Sequence, residues 1–80
     1  MQKYPKTISD IGEVIREARK QQGLNQSDVA GLLGLGNRYL SELENGKSTI
    51  EAGKMLQILL ALKIKVVLEI PNMSPRQYIK

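Results

Sequence analysis

The 80-residue sequence predicts a mainly α domain, four short helices followed by a single C-terminal β-strand. Three observations carry that expectation. Apolar residues recur every three or four positions through most of the chain, which is the period of a helix with one buried face. Glycines at 23, 34 and 46 fall where that pattern pauses, and so divide it into short helices. From Ile64 to Ile70 the period drops to two, the signature of a strand. A chain of this length builds one domain. Its aromatic content is 4%, all of it Tyr, so the core must be aliphatic.

Residues 1–6 are polar, carry Pro5 and read as a flexible arm. Thr7 and Asp10 have the spacing of a capping box, with Asp reaching less well than Glu would. Ile8, Ile11, Val14, Ile15 and Ala18 then form the stripe of a first helix over about 8–22, stopped by Gly23. Asn25 is the N-cap of a second helix that turns Val29, Ala30, Leu32 and Leu33 inward and ends at Gly34. A third helix runs from Asn37 to about Glu44, with Leu40 and Leu43 inside and Asn45-Gly46 as its terminator. The fourth covers about Ile50 to Leu62, and its second half is apolar nearly all round, so it needs cover on more than one side. Ile64, Val66, Leu68 and Ile70 define the strand, which Pro71 stops. No other segment reads as a strand. The expected partner is therefore the same strand of a second copy, with Leu59 and Leu62 joining Ile64, Val66, Leu68 and Ile70 in a homodimer contact. Residues 72–80 read as a mobile tail, 63–71 as the dimerisation strand and 7–62 as the main domain.

Charge and composition exclude several function classes. Twelve Lys and Arg stand against eight Asp and Glu, giving +4, which favours a polyanionic partner. The absence of Cys and His removes thiolate nucleophiles, the commonest general base and the commonest metal ligands. No catalytic residue, metal site or cofactor is expected, and no enzyme. A small-molecule ligand is not expected either, because the length leaves no second domain to hold one. The longest apolar run, Ile58 to Leu62, is far shorter than a membrane span of roughly 20 residues. The opening MQKYPKTISD has no apolar leader stretch, so the expected location is the cytoplasm.

Two short helices joined by a tight Gly-containing turn in a basic domain fit a helix-turn-helix. The residues concerned are Gly23-Leu24-Asn25-Gln26-Ser27-Asp28-Val29-Ala30, then Leu33-Gly34-Leu35-Gly36, then Leu40-Ser41-Glu42-Leu43-Glu44-Asn45-Gly46-Lys47. This run resembles the Cro/repressor (XRE) helix-turn-helix family over about residues 8–62. Within that family, a strand in place of a fifth helix is similar to the HipB-type antitoxins, whose strand pairs across a dimer. The resemblance implies a sequence-specific repressor that binds double-stranded DNA at an inverted-repeat operator. It further implies the antitoxin role of a toxin–antitoxin pair, with a HipA-like kinase toxin as second partner. Two alternatives stand beside it: a phage-type or stand-alone regulator, and a protein-interaction module that mainly holds a partner.

Carried over residue by residue, the family pattern puts Gly36 at the start of the recognition helix and Asn37, Arg38, Ser41 and Glu42 at its outward positions. The chemistry suits base edges: Asn for adenine, Arg for guanine, Glu for the cytosine amino group. Arg38 and Glu42 also have the spacing of a solvated i,i+4 ion pair, and both roles are compatible. Tyr39 stands where the phage repressors usually have a small residue; it suits a thymine methyl, a phosphate, or packing against the second helix. Gly36 replaces the usual Ser or Thr and brings no cap oxygen. Phosphate contacts fall to Asn25 and Gln26 at the start of the second helix and to Asn45, Lys47 and Ser48 after the third. Arg19 and Glu44 match a family pair that implies a structural salt bridge between the first and third helices, away from DNA.

Overall fold

A computed structural model describes residues 2–72, so the tail expected over 72–80 lies outside the described residues except for Asn72. Four helices follow in order: α1 (Ile8–Gln21), α2 (Gln26–Leu33), α3 (Asn37–Glu44) and α4 (Ala52–Ala61). Their ends follow from local chemistry. The Thr7 hydroxyl accepts from the Asp10 N–H at 3.1 Å, while the Asp10 carboxylate reaches past Thr7 to the Lys6 N–H at 2.9 Å. At α2 the box is reciprocal: Asn25 Oδ1 accepts from the Asp28 N–H at 2.7 Å, and Asp28 Oδ2 from the Asn25 N–H at 2.8 Å. The cap of α3, Gly36, contributes no side-chain hydrogen bond. The fourth helix starts two residues later than its apolar pattern suggests, because Glu51 is the N-cap and accepts from the Gly53 and Lys54 N–H groups at 2.7 and 3.0 Å.

The core sits where the inner faces of all four helices meet. Ile15, Leu40, Leu43 and Ile58 have no exposed surface, and Val29, Leu59 and Leu62 join them. Two glycines set how closely α1 approaches α3. A Cβ on Gly12 would lie 2.3 Å from the Leu43 carbonyl oxygen and 2.9 Å from that of Glu44, so the helices touch through backbone. Gly46, at φ 80°, takes a left-handed turn that a side chain would resist, and a Cβ there would meet Ser9 at 2.8 Å. At the far end, Gln22 Nε2 donates to the Leu62 carbonyl at 2.7 Å and ties α1 to the exit of α4.

The expected dimer residues divide into two groups. Leu59 and Leu62 are 6% and 3% exposed and belong to the core of the chain itself. The apolar surface that α4 offers is instead Leu56 and Leu60. Beyond α4 the chain turns at Lys63, φ 61°, and the Ile64 N–H returns to the Leu59 carbonyl at 2.9 Å. Among the described residues, 64–70 is in no strand and pairs with no other segment. Val66, Leu68 and Ile70 are exposed, Ile64 partly buried against the core.

Candidate nucleic-acid interface

The α2–turn–α3 unit separates its faces by helical period. Leu40 and Leu43 point into the core, while Asn37 and Arg38 are exposed and Ser41 and Glu42 half-buried at the rim. Arg38 extends almost wholly into solvent, with its Nε 3.3 Å from Glu42 Oε1. Lys47 approaches from the loop beyond α3 and places its Nζ on the other oxygen, Glu42 Oε2. A backbone bond fixes that loop, the Lys47 N–H donating to the Glu42 carbonyl at 3.0 Å. Glu42 thus holds one cation on each oxygen, and the hydrogen bond from Lys47, then Arg38, keeps its carboxyl below the usual carboxylate range.

The residues expected at phosphates are not equivalent. Asn45, Lys47 and Ser48 are placed on the loop after α3, Lys47 and Ser48 exposed and Asn45 at the helix end. Asn25 is exposed, but its side-chain oxygen is engaged in the α2 cap. Gln26 is half-buried and turns inward, donating from Nε2 to Glu44 Oε1 at 3.2 Å. Tyr39 is half-buried as well. Its hydroxyl donates to the Glu51 carbonyl, and Lys54 Nζ lies 5.6 Å from the centre of its ring. Desolvation, with the Glu51 charge second, raises its phenol pKa above the usual value. Tyr39 therefore packs toward the start of α4, with its hydroxyl occupied.

Beneath this face lies the ion pair of Arg19 and Glu44, 7% and 8% exposed. Arg19 Nε is 2.7 Å from Glu44 Oε2 and its Nη2 donates to Oε1 at 3.0 Å, a bidentate pair; Nη1 donates to the Leu24 carbonyl at 2.8 Å. The bond to Glu44 raises the Arg19 pKa further above its ordinary value. Glu51, Lys54, Gln22 and Gly12 also shape the site, and periodicity marks none of them, because each acts at a helix end or through a missing side chain.

A short helix braced by a second across a tight turn, with a polar outer row and an aliphatic inner seam, is the helix-turn-helix architecture of DNA-binding transcriptional regulators. The chain belongs to the helix-turn-helix domain family, in its XRE branch, with residues 12–66 matching the family. It is 42% identical over 72 residues to the uncharacterized HTH-type transcriptional regulator y4mF of Sinorhizobium fredii (strain NBRC 101917 / NGR234), covering 90% of this chain and 95% of that one. Similarity to the ImmF control region 10 kDa protein of Bacillus phage phi105 is 30% over 70 residues, covering 88% and 76%. Among solved structures, the HipB–O4 20mer complex matches with a TM-score of 0.76 at 24% identity, covering 85% of this chain and 94% of that chain. The HipA–HipB–O2–O3 complex matches with a TM-score of 0.75 at 24% identity, with the same coverage. At those identities the likeness establishes the fold. Among the described residues, no helix is long and apolar enough to cross a membrane.

Proposed function

We propose that the chain is an operator-binding repressor that acts as a homodimer and serves as the antitoxin of a HipA-like kinase toxin. The observation that carries the DNA reading is the outer row of α3, where Asn37 and Arg38 are exposed beside Ser41 and Glu42 over a sealed Leu40–Leu43 seam. In this reading Asn37, Arg38, Ser41 and Glu42 meet base edges, while Asn45, Lys47 and Ser48 serve phosphates together with the start of α2, Gln26 through its backbone N–H and Asn25 through its amide nitrogen. Tyr39 acts from behind, by fixing α3.

The dimer reading is supported by Val66, Leu68, Ile70, Leu56 and Leu60, a set of exposed apolar side chains that pairing of segment 64–70 with its copy would cover. One helix-turn-helix unit neutralises few phosphates, and a second doubles both charge and recognition. A two-fold dimer reads an inverted repeat with half-sites about 34 Å apart. The toxin reading is supported by the likeness to HipB chains, one of them solved with HipA. The y4mF and phage-control relatives favour a second reading, a stand-alone regulator of the same DNA face.

The test is gel retardation of DNA from the chain's own promoter by purified protein. Arg38→Ala should weaken the promoter selectively, by about 1–3 kcal/mol per base contact, and leave random DNA little changed. Equal weakening of both would remove Arg38 from the base readers, and failure of wild type to retard the promoter at low salt would refute the repressor. Co-purification of a kinase encoded in the neighbouring frame separates the antitoxin from the stand-alone regulator.

A further inference from the structure

We propose that Glu42 is a specificity-determining gate, an anionic clamp that keeps Arg38 and Lys47 from random DNA and yields them at the cognate sequence. This rests on the DNA reading of α3 given above. The geometry that supports it is double. The Arg38–Glu42 contact, 3.3 Å at i,i+4 spacing, is ordinary for an exposed helix. The Lys47 contact is not a product of helical spacing. Lys47 lies beyond the helix end, and the left-handed turn at Gly46 and the 3.0 Å bond from its N–H to the Glu42 carbonyl bring it back. Side chain and backbone both join 47 to 42, and both carboxylate oxygens carry a cation.

The consequence is electrostatic. Two exposed cations would offer a phosphate backbone two charges, whereas the trio offers a net one. Binding to random DNA scales with the phosphates neutralised. A cation that leaves Glu42 for a phosphate also strands a carboxylate against a polyanion. A base edge that donates a hydrogen bond, the amino group of cytosine or of adenine, gives Glu42 a replacement partner while Arg38 turns to guanine. A site that does not present the donor and the guanine together in register leaves the carboxylate unpaired against a polyanion, so it discriminates by opposing the wrong sequences. Because Lys47 and Arg38 hold the Glu42 carboxyl below the usual carboxylate range, the clamp stays charged at every pH where duplex binding is measured.

The experiment uses the full chain and two fluorescent duplexes: a random-sequence 30-mer, and the duplex that wild type enriches from a random library. Glu42→Gln preserves shape and removes the charge. We expect it to bind the random duplex more tightly, on the order of tenfold per engaged subunit near 0.1 M salt, with a salt slope steeper by about 0.9. The selected duplex should gain nothing or lose affinity, so the specificity ratio falls. Adding Lys47→Gln to Glu42→Gln should return random-duplex affinity toward wild type. Unchanged random binding overturns the gate, and so does an equal gain on both duplexes. If the Gln variant melts below wild type, Glu42→Ala carries the same comparison. A wild-type protein that enriches no duplex and retards none at low salt overturns the DNA reading itself, an outcome distinct from failure of the clamp.

Discussion

Replacing Glu44 by Ala tests how the recognition helix is held. Both partners of the Arg19–Glu44 pair are more than nine-tenths buried. The change removes the Arg19 contacts at 2.7 and 3.0 Å and the Gln26 contact at 3.2 Å. Arg19 keeps only its bond to the Leu24 carbonyl at 2.8 Å, and its charge remains inside without a counter-ion. Breaking a buried pair from one side costs about 3–5 kcal/mol. A domain of this size has a total stability of about 4–12 kcal/mol, so the loss is a large share of the whole. At about 4–8 °C per kcal/mol, the melting temperature should fall by about 12–40 °C. The assay is thermal circular dichroism at one fixed protein concentration, so that any self-association contributes equally to every variant. Replacing Arg19 and Glu44 together by Met and Leu should recover much of the loss, because neither charge is then left buried. A fall under about 4 °C for Glu44→Ala would give the pair the value of an exposed ion pair and refute the reasoning.

Gly12→Ala should destabilise by about 1–3 kcal/mol or more, because its Cβ would lie 2.3 Å from the Leu43 carbonyl oxygen. Gly31→Ala, with nothing within 4 Å, should stabilise α2 by about 0.5–1 kcal/mol; urea midpoints of the two variants check the contrast. Asp10 accepts from the Lys6 N–H, and chiefly through that bond its carboxyl titrates below its ordinary value. A depressed folded pKa adds stability that is present above the unfolded value, near pH 4, and is lost as pH falls through the folded one. Asp10→Asn should therefore flatten the decline of melting temperature below about pH 4, and an unchanged acid slope would count against it. Lys63 stands at φ 61°, where a side chain is strained, so Lys63→Gly should raise the urea midpoint by up to about 1 kcal/mol equivalent.

The four helices are legible in the sequence because their stops are written in residue types. Gly23, Gly34 and Asn45-Gly46 end α1, α2 and α3, and Asn25 with Asp28 opens α2. The start of α4 is less legible: Ile50 continues the apolar pattern, but Glu51 caps the helix through the Gly53 and Lys54 N–H groups, a cap that a hydrophobic pattern does not reveal. Gly12 is illegible for a related reason. Mid-helix Gly reads as a weakness, and only the packed structure shows that α3 backbone fills the place of its side chain. Leu59 and Leu62 illustrate the limit of an all-round apolar helix, where period cannot say which Leu faces the core. Likewise Gln26 has the chemistry of a phosphate ligand, and its inward turn to Glu44 depends on a tertiary neighbour eighteen positions away.

These same tertiary neighbours determine how α3 presents its outer row. Gly12 brings α1 against the backbone of Leu43 and Glu44 on one side. Arg19 and Gln26 hold the Glu44 carboxylate from beneath. Tyr39 reaches the other way, its hydroxyl on the Glu51 carbonyl, while the Glu51 carboxylate caps α4 and Lys54 returns over the ring. The other three helices thus fix α3 by different contacts: α1 by backbone packing at Gly12 and the buried Arg19 ion pair, α2 by the Gln26 amide, and α4 by the aromatic hydrogen bond at its cap. Contacts from three directions leave the helix little freedom to roll. A reader of base edges needs that rigidity, since side chains held by their own scaffold lose less entropy when they bind. Arg38, Glu42 and Lys47 stand outside this bracing, on the rim, where the proposed exchange of partners would take place.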